Sequence, residues 1–242
     1  MPTLRPRPHK SILSAYVVFR LATVPGIRPA LAEDMPTRLA KAVAILNTLR
    51  ESSGNGILPE EIASADCLLV LPGFYRGAAV AGVLFEGDLL LEESFGRGFI
   101  SCRVGDNWSA PGSVTMEGGS LGVQIGEKID IVILSLDKNQ RSKLLSDRFT
   151  IGSDGSAVWG NGKSVPNDPN AKILLFGRTK KAFATFDLNG ALLKTDISGN
   201  KALYGRHLKN NQIVEGGAAI PTVAQPLLSK LKSLLGREST TP

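Results

Sequence analysis

Leu39, Ala42, Val43, Leu46 and Leu49 recur at helical spacing within residues 34–53. That stripe predicts an amphipathic helix, with Pro36 in its first turn and Gly54 at its end. Residues 59–65 predict a second, short helix, with Glu60 and Glu61 near its positive end. From Cys67 the period changes. Residues 67–71 are a continuous apolar run closed by Pro72-Gly73, which predicts a buried strand ending there. Further strands are predicted at 99–104, 129–136, 172–176, 181–186 and 191–195. Gly105-Asp106-Asn107 and Leu188-Asn189-Gly190 predict hairpin turns, because asparagine and glycine accept positive φ. Asp137 predicts a helix cap with Gln140 as its capping-box partner, the helix running to about Ser146. Another short helix is predicted after Ser198, and a last amphipathic helix over 222–235. Residues 160–170, rich in Asn, Gly and Pro, predict an exposed connection.

Helices come first, then many strands, with helices interspersed late. This order predicts an α+β fold, a single compact domain. Its core is a mainly antiparallel sheet, or a barrel-like one, flanked by a few helices. Phe95-Gly96-Arg97 and Phe176-Gly177-Arg178 repeat one short string, which is either a trace of two similar hairpin units or coincidence. The 26 glycines show no period and fit tight turns and strands.

Charge changes the picture at the N-terminus. The formal charge is +6, but residues 1–32 hold Arg5, Arg7, Lys10, Arg20 and Arg28 and no acid, so only +1 belongs to the rest. Partners of that remainder must be met by local patches rather than a global field. A basic stretch at 5–10 precedes an apolar run at 12–19, and Ala30-Leu31-Ala32 offers small residues for a signal peptidase. Residues 1–32 are therefore predicted to be a signal peptide cleaved before Glu33. The alternative is a start at Met35 and a cytoplasmic protein. The domain is predicted over 33–210, with 211–242 as a C-terminal extension carrying the last helix. Cys67 and Cys102 both lie in apolar stretches, which predicts buried thiols; an exported chain also permits a bond between them. No cysteine near the cleavage point offers a lipid anchor.

Gly118-Gly119-Ser120-Leu121-Gly122 matches the string of a serine nucleophile elbow, and His207 is the one histidine available downstream. The motif requires a strand-to-helix turn, whereas the residues that follow are β-branched and strand-like. Residues 118–127 instead read as an extended strand with one face almost bare of side chains, the mark of close approach by a backbone, ring or ligand. No metal-ligand spacing is present. Glu92-Glu93 read as solvated turn residues, Asp130 as structural, and His207 as a surface or cap histidine. One basic cluster is Lys138, Arg141, Lys143 and Arg148, tempered by Asp137 and Asp147. The other is Lys172, Arg178, Lys180 and Lys181, joined by Arg97 and Arg103 if the hairpins lie side by side. Such a cluster is either a solvated face or a patch for anionic headgroups. Aromatic residues are only 6%, which disfavours nucleic acid as a partner.

Residues 38–206 resemble the SYLF family of lipid-binding domains. The resemblance rests on Ile62-Ala63-Ser64-Ala65-Asp66-Cys67-Leu68-Leu69-Val70-Leu71-Pro72, Gly96-Arg97-Gly98-Phe99-Ile100, Trp108-Ser109-Ala110-Pro111, Gln124-Ile125-Gly126 and Tyr204-Gly205, in that order. It implies phospholipid binding, especially of phosphoinositides in eukaryotic members, some of which act with actin. It implies no catalytic residues and no cofactor. The chain departs from the family at 85–95, where Glu86, Asp88, Glu92 and Glu93 replace a more glycine-rich stretch. The expectation is a non-catalytic, metal-free module that binds anionic phospholipid at a membrane surface in the periplasm or outside the cell. Lys172, Arg178, Lys180, Lys181, Arg97 and Arg103 are its headgroup candidates. The competing readings are an envelope protein-interaction module and, least favoured, a hydrolase using Ser120.

Overall fold

The computed structural model describes residues 33–49, 57, 59–81, 89–119, 128–154, 157–159, 173–178, 183–184 and 188–235. The predicted signal peptide and the predicted loop at 160–170 lie outside them. Residues 33–242 form one unit.

The first helix, α1, is Met35–Thr48. Asp34 caps it, its Oδ1 accepting the Thr37 amide at 2.8 Å, which satisfies one of the donors a helix start leaves open. A short α2 (Pro59–Ser64) leads into β1 (Cys67–Ala81). β1 runs past Pro72-Gly73, where a terminus was predicted. The register shifts between Val70 and Tyr75 on one side and between Leu71 and Phe74 on the other, so the pair makes a bulge instead of an end. Gly73 takes φ +60° there, and its amide donates to Asp130 Oδ1 at 2.9 Å.

The remaining strands are β2 (Leu89–Val104), β3 (Asn107–Trp108), β4 (Gly112–Glu117), β5 (Lys128–Ser135), β6 (Arg148–Thr150), β7 (Ala157–Trp159), β8 (Ile173–Arg178), β9 (Phe183–Ala184) and β10 (Leu192–Thr195). They form one curled sheet in the order β6-β10-β4-β2-β1-β5-β8-β7, with β3 on β2 and β9 on β8. Every described pairing is antiparallel except β7 with β8. The strand predicted at 118–127 does not begin at Gly118. Gly118 and Gly119 take φ +73° and +92° and turn the chain out of β4; residues 120–127 lie outside the described residues.

Both faces of the central strands are covered, which is why β1 opens as an unbroken apolar run. Leu68, Val70, Phe99, Val132, Leu134, Leu174 and Phe176 pack on one face with Leu39, Ala42 and Leu46 of α1. Leu69, Leu71, Phe74, Ile100, Ile131, Ile133 and Leu175 fill the other. Gly98 is fixed by this packing, since a Cβ there would lie 2.0 Å from the Val70 carbonyl oxygen. Cys67 and Cys102, direct partners across β1 and β2, form a disulfide rather than the predicted thiols; both are fully buried.

The late helices are α3 (Lys138–Leu144), α4 (Ile197–Tyr204), α5 (Asn210–Val214) and α6 (Gln225–Ser233). The helix predicted over 222–235 opens as a 3₁₀ turn at Thr222–Ala224, and Pro226 sits in the first α turn. Leu227, Leu228, Leu231 and Leu234 complete the core beside α1, and the Trp108 indole N–H donates to the Leu231 carbonyl at 3.1 Å. Among the described residues, no helix is long and apolar enough to cross a membrane.

Candidate functional site

α1 covers only part of its face of the sheet. Beyond it lies an open shelf that the register defines row by row. In one row Arg97 of β2 stands beside the Pro72-Gly73 bulge of β1, then Asp130 of β5, then Arg178 of β8. In the next row Glu117 of β4, Phe95 of β2, Tyr75 of β1 and Lys128 of β5 are consecutive cross-strand partners. Alternation puts Phe95 and Arg97 on one face with Phe99, and Lys128 and Asp130 on the same face with Val132. Lys41, Ala44, Ile45 and Thr48 of α1 wall a groove of about 400 Å³ floored by Gly73, Lys128, Asp130 and Arg178.

The acids of this shelf are occupied internally. Asp130 accepts the Gly73 amide, and Glu117 is ion-paired with Lys194 of β10. Lys41 pairs with Glu33. Lys128 and Arg178 have no ion-pair partner among the described residues. Arg97 lies 5.4 Å over the Phe95 ring, and its buried Nε–H has no acceptor. Tyr75 and Phe95 are 41% and 40% exposed, although Phe74 and Phe99 nearby are fully buried.

A polar cluster anchors the shelf at its α1 edge. Arg38, 4% exposed, pairs with Asp196 at 3.4 Å. Burial lowers the Arg38 pKa and the Asp196 charge opposes it. Burial pushes the Asp196 carboxyl up, but bonds from the Ser198 hydroxyl and Gly199 amide, with the charges of Arg97 and Arg38, outweigh it and hold it below its ordinary value. Asp196 also accepts from Ser113 Oγ at 3.2 Å, and Asn200 Oδ1 accepts the Ser113 amide at 2.7 Å. The cluster thereby docks α1 and α4 onto β4.

The predicted headgroup residues separate. Arg97 and Arg178 share the shelf, three strand spacings apart, about 14 Å. Arg103 sits at the opposite end of the sheet. Its guanidinium donates to the Ile62, Ala63 and Ala65 carbonyls, each at 3.1 Å, closing the end of α2, and it stacks 4.4 Å over Trp108. Beside it Arg141 grips buried Asp66 through Nε and Nη2 and reaches the Arg103 carbonyl at 2.9 Å. The Asp66 bond raises the Arg141 pKa. Lys172, Lys180 and Lys181 lie outside the described residues, as does Ser120; His207 is exposed in the turn after α4.

Residues 117–234 match the family described as Ysc84: Las17-binding protein actin regulator. That stretch is what this chain shares with the Ysc84 family. Protein YSC84 of Saccharomyces cerevisiae is 24% identical over 222 residues, 86% of this chain and 45% of the relative. LAS seventeen-binding protein 3 of the same yeast is 24% identical over 219 residues, 86% of this chain and 46% of the relative. The human SH3 domain-containing YSC84-like protein 1 is 24% identical over 212 residues, 84% of this chain and 60% of the relative. The chain thus spans about half the length of the yeast relatives it matches. No solved structure matches it. One of these relatives is named for binding, and the matching family is described as an actin regulator; the described residues of this chain present an open cationic shelf.

Of the residues on this shelf, sequence reasoning named Arg97 and Arg178 and did not name Lys128, Tyr75 or Phe95. A signal for Tyr75 was present in the chain. Phe74 and Tyr75 are adjacent in a strand, so their side chains leave by opposite faces. Phe74 enters the core on the face away from α1, whereas Tyr75 leaves by the α1 face beyond the reach of the helix.

Proposed function

We propose that this chain is a non-catalytic module that binds anionic phospholipid at the cell envelope. The observation that carries the reading is the shelf, where Arg97, Lys128 and Arg178 are cationic, Glu117 and Asp196 are paired with other cations, and Asp130 accepts the Gly73 amide. Each such cation contributes on the order of 1 kcal/mol near an anionic membrane. Lys180 and Lys181 follow Arg178 closely in the chain and Lys172 precedes β8, so the reading includes them on charge.

The location is part of the proposal. The basic and apolar N-terminal residues support export, and a disulfide at Cys67–Cys102 suits an oxidising compartment. Glu33 and Asp34 support a mature chain starting at Glu33 over one starting at Met35. Asp34 caps α1 and the Glu33 carbonyl accepts from Arg38 at 3.2 Å. An envelope location leaves no role for actin regulation. Protein partnership is the second reading, favoured by the relative named as a LAS seventeen-binding protein.

Vesicle co-sedimentation at low salt tests the proposal. The full chain is expected to sediment with phosphatidylcholine vesicles only when phosphatidylglycerol is added, and less as salt rises. Lys128→Glu with Arg178→Glu is expected to weaken binding about tenfold or more. Equal sedimentation with and without the anionic lipid would refute an electrostatic mode.

A further inference from the structure

We infer that Tyr75 and Phe95 form an apolar wedge that enters the bilayer interface while Arg97 holds a lipid phosphate beside it. This inference rests on the anionic-lipid reading and assigns part of its binding to a non-electrostatic contact. Single exposed hydrophobics are ordinary on a surface. Here two aromatics are direct partners across β1 and β2, with Lys128 next to Tyr75 in the same row and Arg97 stacked on Phe95. Aromatic side chains favour the headgroup level of a bilayer, where an apolar ring and a wet edge are both accommodated.

The cation beside the wedge points to the same occupant. Arg97 makes no hydrogen bond among the described residues, and its Nε–H is buried without an acceptor. Its guanidinium is a planar fork of donors suited to phosphate oxygens. Of the described acids nearby, Glu117 is paired with Lys194 and Asp196 with Arg38, and Asp130 accepts the Gly73 amide. A protein partner would need its own acid for Arg97 and a pocket for two rings. A membrane of anionic lipid supplies phosphate and apolar depth across its whole surface.

The test uses the full chain, the same vesicles, and Phe95→Trp with phosphatidylcholine brominated at shallow or deep acyl positions. The fluorescence of the introduced indole, taken as the difference from wild type, is expected to shift blue and to be quenched most by the shallow label. Tyr75→Ser with Phe95→Ser is expected to weaken vesicle binding about tenfold and to remove the part that survives high salt. Thermal melts report whether the serine variant folds, and the fluorescence arm stands without it. If wild type binds anionic vesicles but the introduced indole is unquenched, the wedge is overturned while the lipid reading stands. If wild type does not bind them at all, both are overturned.

Discussion

The two ends of the sheet hold arginines with opposite fates. At the α2 end, Arg103 is consumed by three carbonyls and a Trp108 ring, and Arg141 by Asp66. At the shelf, Arg97 and Arg178 reach the surface, with Glu117 paired to Lys194, Asp196 to Arg38, and Asp130 bonded to the Gly73 amide. Equal formal charge therefore carries unequal meaning. A cation whose donors are all accepted internally is part of the fold; one left open is available to a partner. The disulfide lies at the α2 end, where strand ends, helix end and ion pair converge.

Breaking the disulfide is the largest expected disturbance of that contrast. Cys67→Ala with Cys102→Ala removes a cross-link spanning 35 residues. A loss of about 4 kcal/mol is expected from the chain-entropy model, measured by urea unfolding. Headgroup binding at the shelf should persist in the folded fraction. Lipid binding lost in proportion beyond unfolding would show that the two ends are not independent.

Asp66→Ala comes next. It removes the acceptor of a buried, doubly bonded pair and leaves Arg141 facing an empty site. A cost of about 3 kcal/mol is expected, a fall in Tm of about 6–12 °C for a chain of this size. The corresponding shelf change, Arg178→Ala, should leave Tm within about 1 °C and act on vesicle binding alone. Equal loss of stability from both substitutions would erase the distinction.

The sequence displayed this contrast only in part. The apolar run from Cys67 and the helical stripe from Leu39 gave β1 and α1, because burial imposes a period that side chains must obey. The bulge was hidden, since Pro72-Gly73 reads equally as an end. Only Asp130, distant in the chain, receives the Gly73 amide and keeps β1 paired. Arg97 and Arg103 lie six residues apart on β2, the same face by alternation, and looked like one patch. What separates them is distance along the strand, about 20 Å, and the carbonyls that α2 turns toward one of them. The two Phe-Gly-Arg strings converge on the shelf for a related reason. β2 and β8 run in opposite directions, so Arg97 and Arg178 reach the same row while Phe95 points to the open end and Phe176 to the buried one.

The smallest effect sharpens the edge between the regions, where Asp196 stands between buried Arg38 and open Arg97. Its carboxyl is held below the ordinary value, so the folded state binds its proton less readily than the unfolded state. The stability this provides is full above the unfolded value, about 4, and is lost as pH falls through the lower folded value. Thermal melts between about pH 5 and about pH 2 should therefore fall more steeply for wild type than for Asp196→Asn, which begins lower because Arg38 is left without its counter-charge. Parallel curves would mean that Ser198, Gly199 and the two arginines do not hold the carboxylate. Arg97 would then lack the nearby negative charge that marks it as the boundary between the anchored cluster and the shelf.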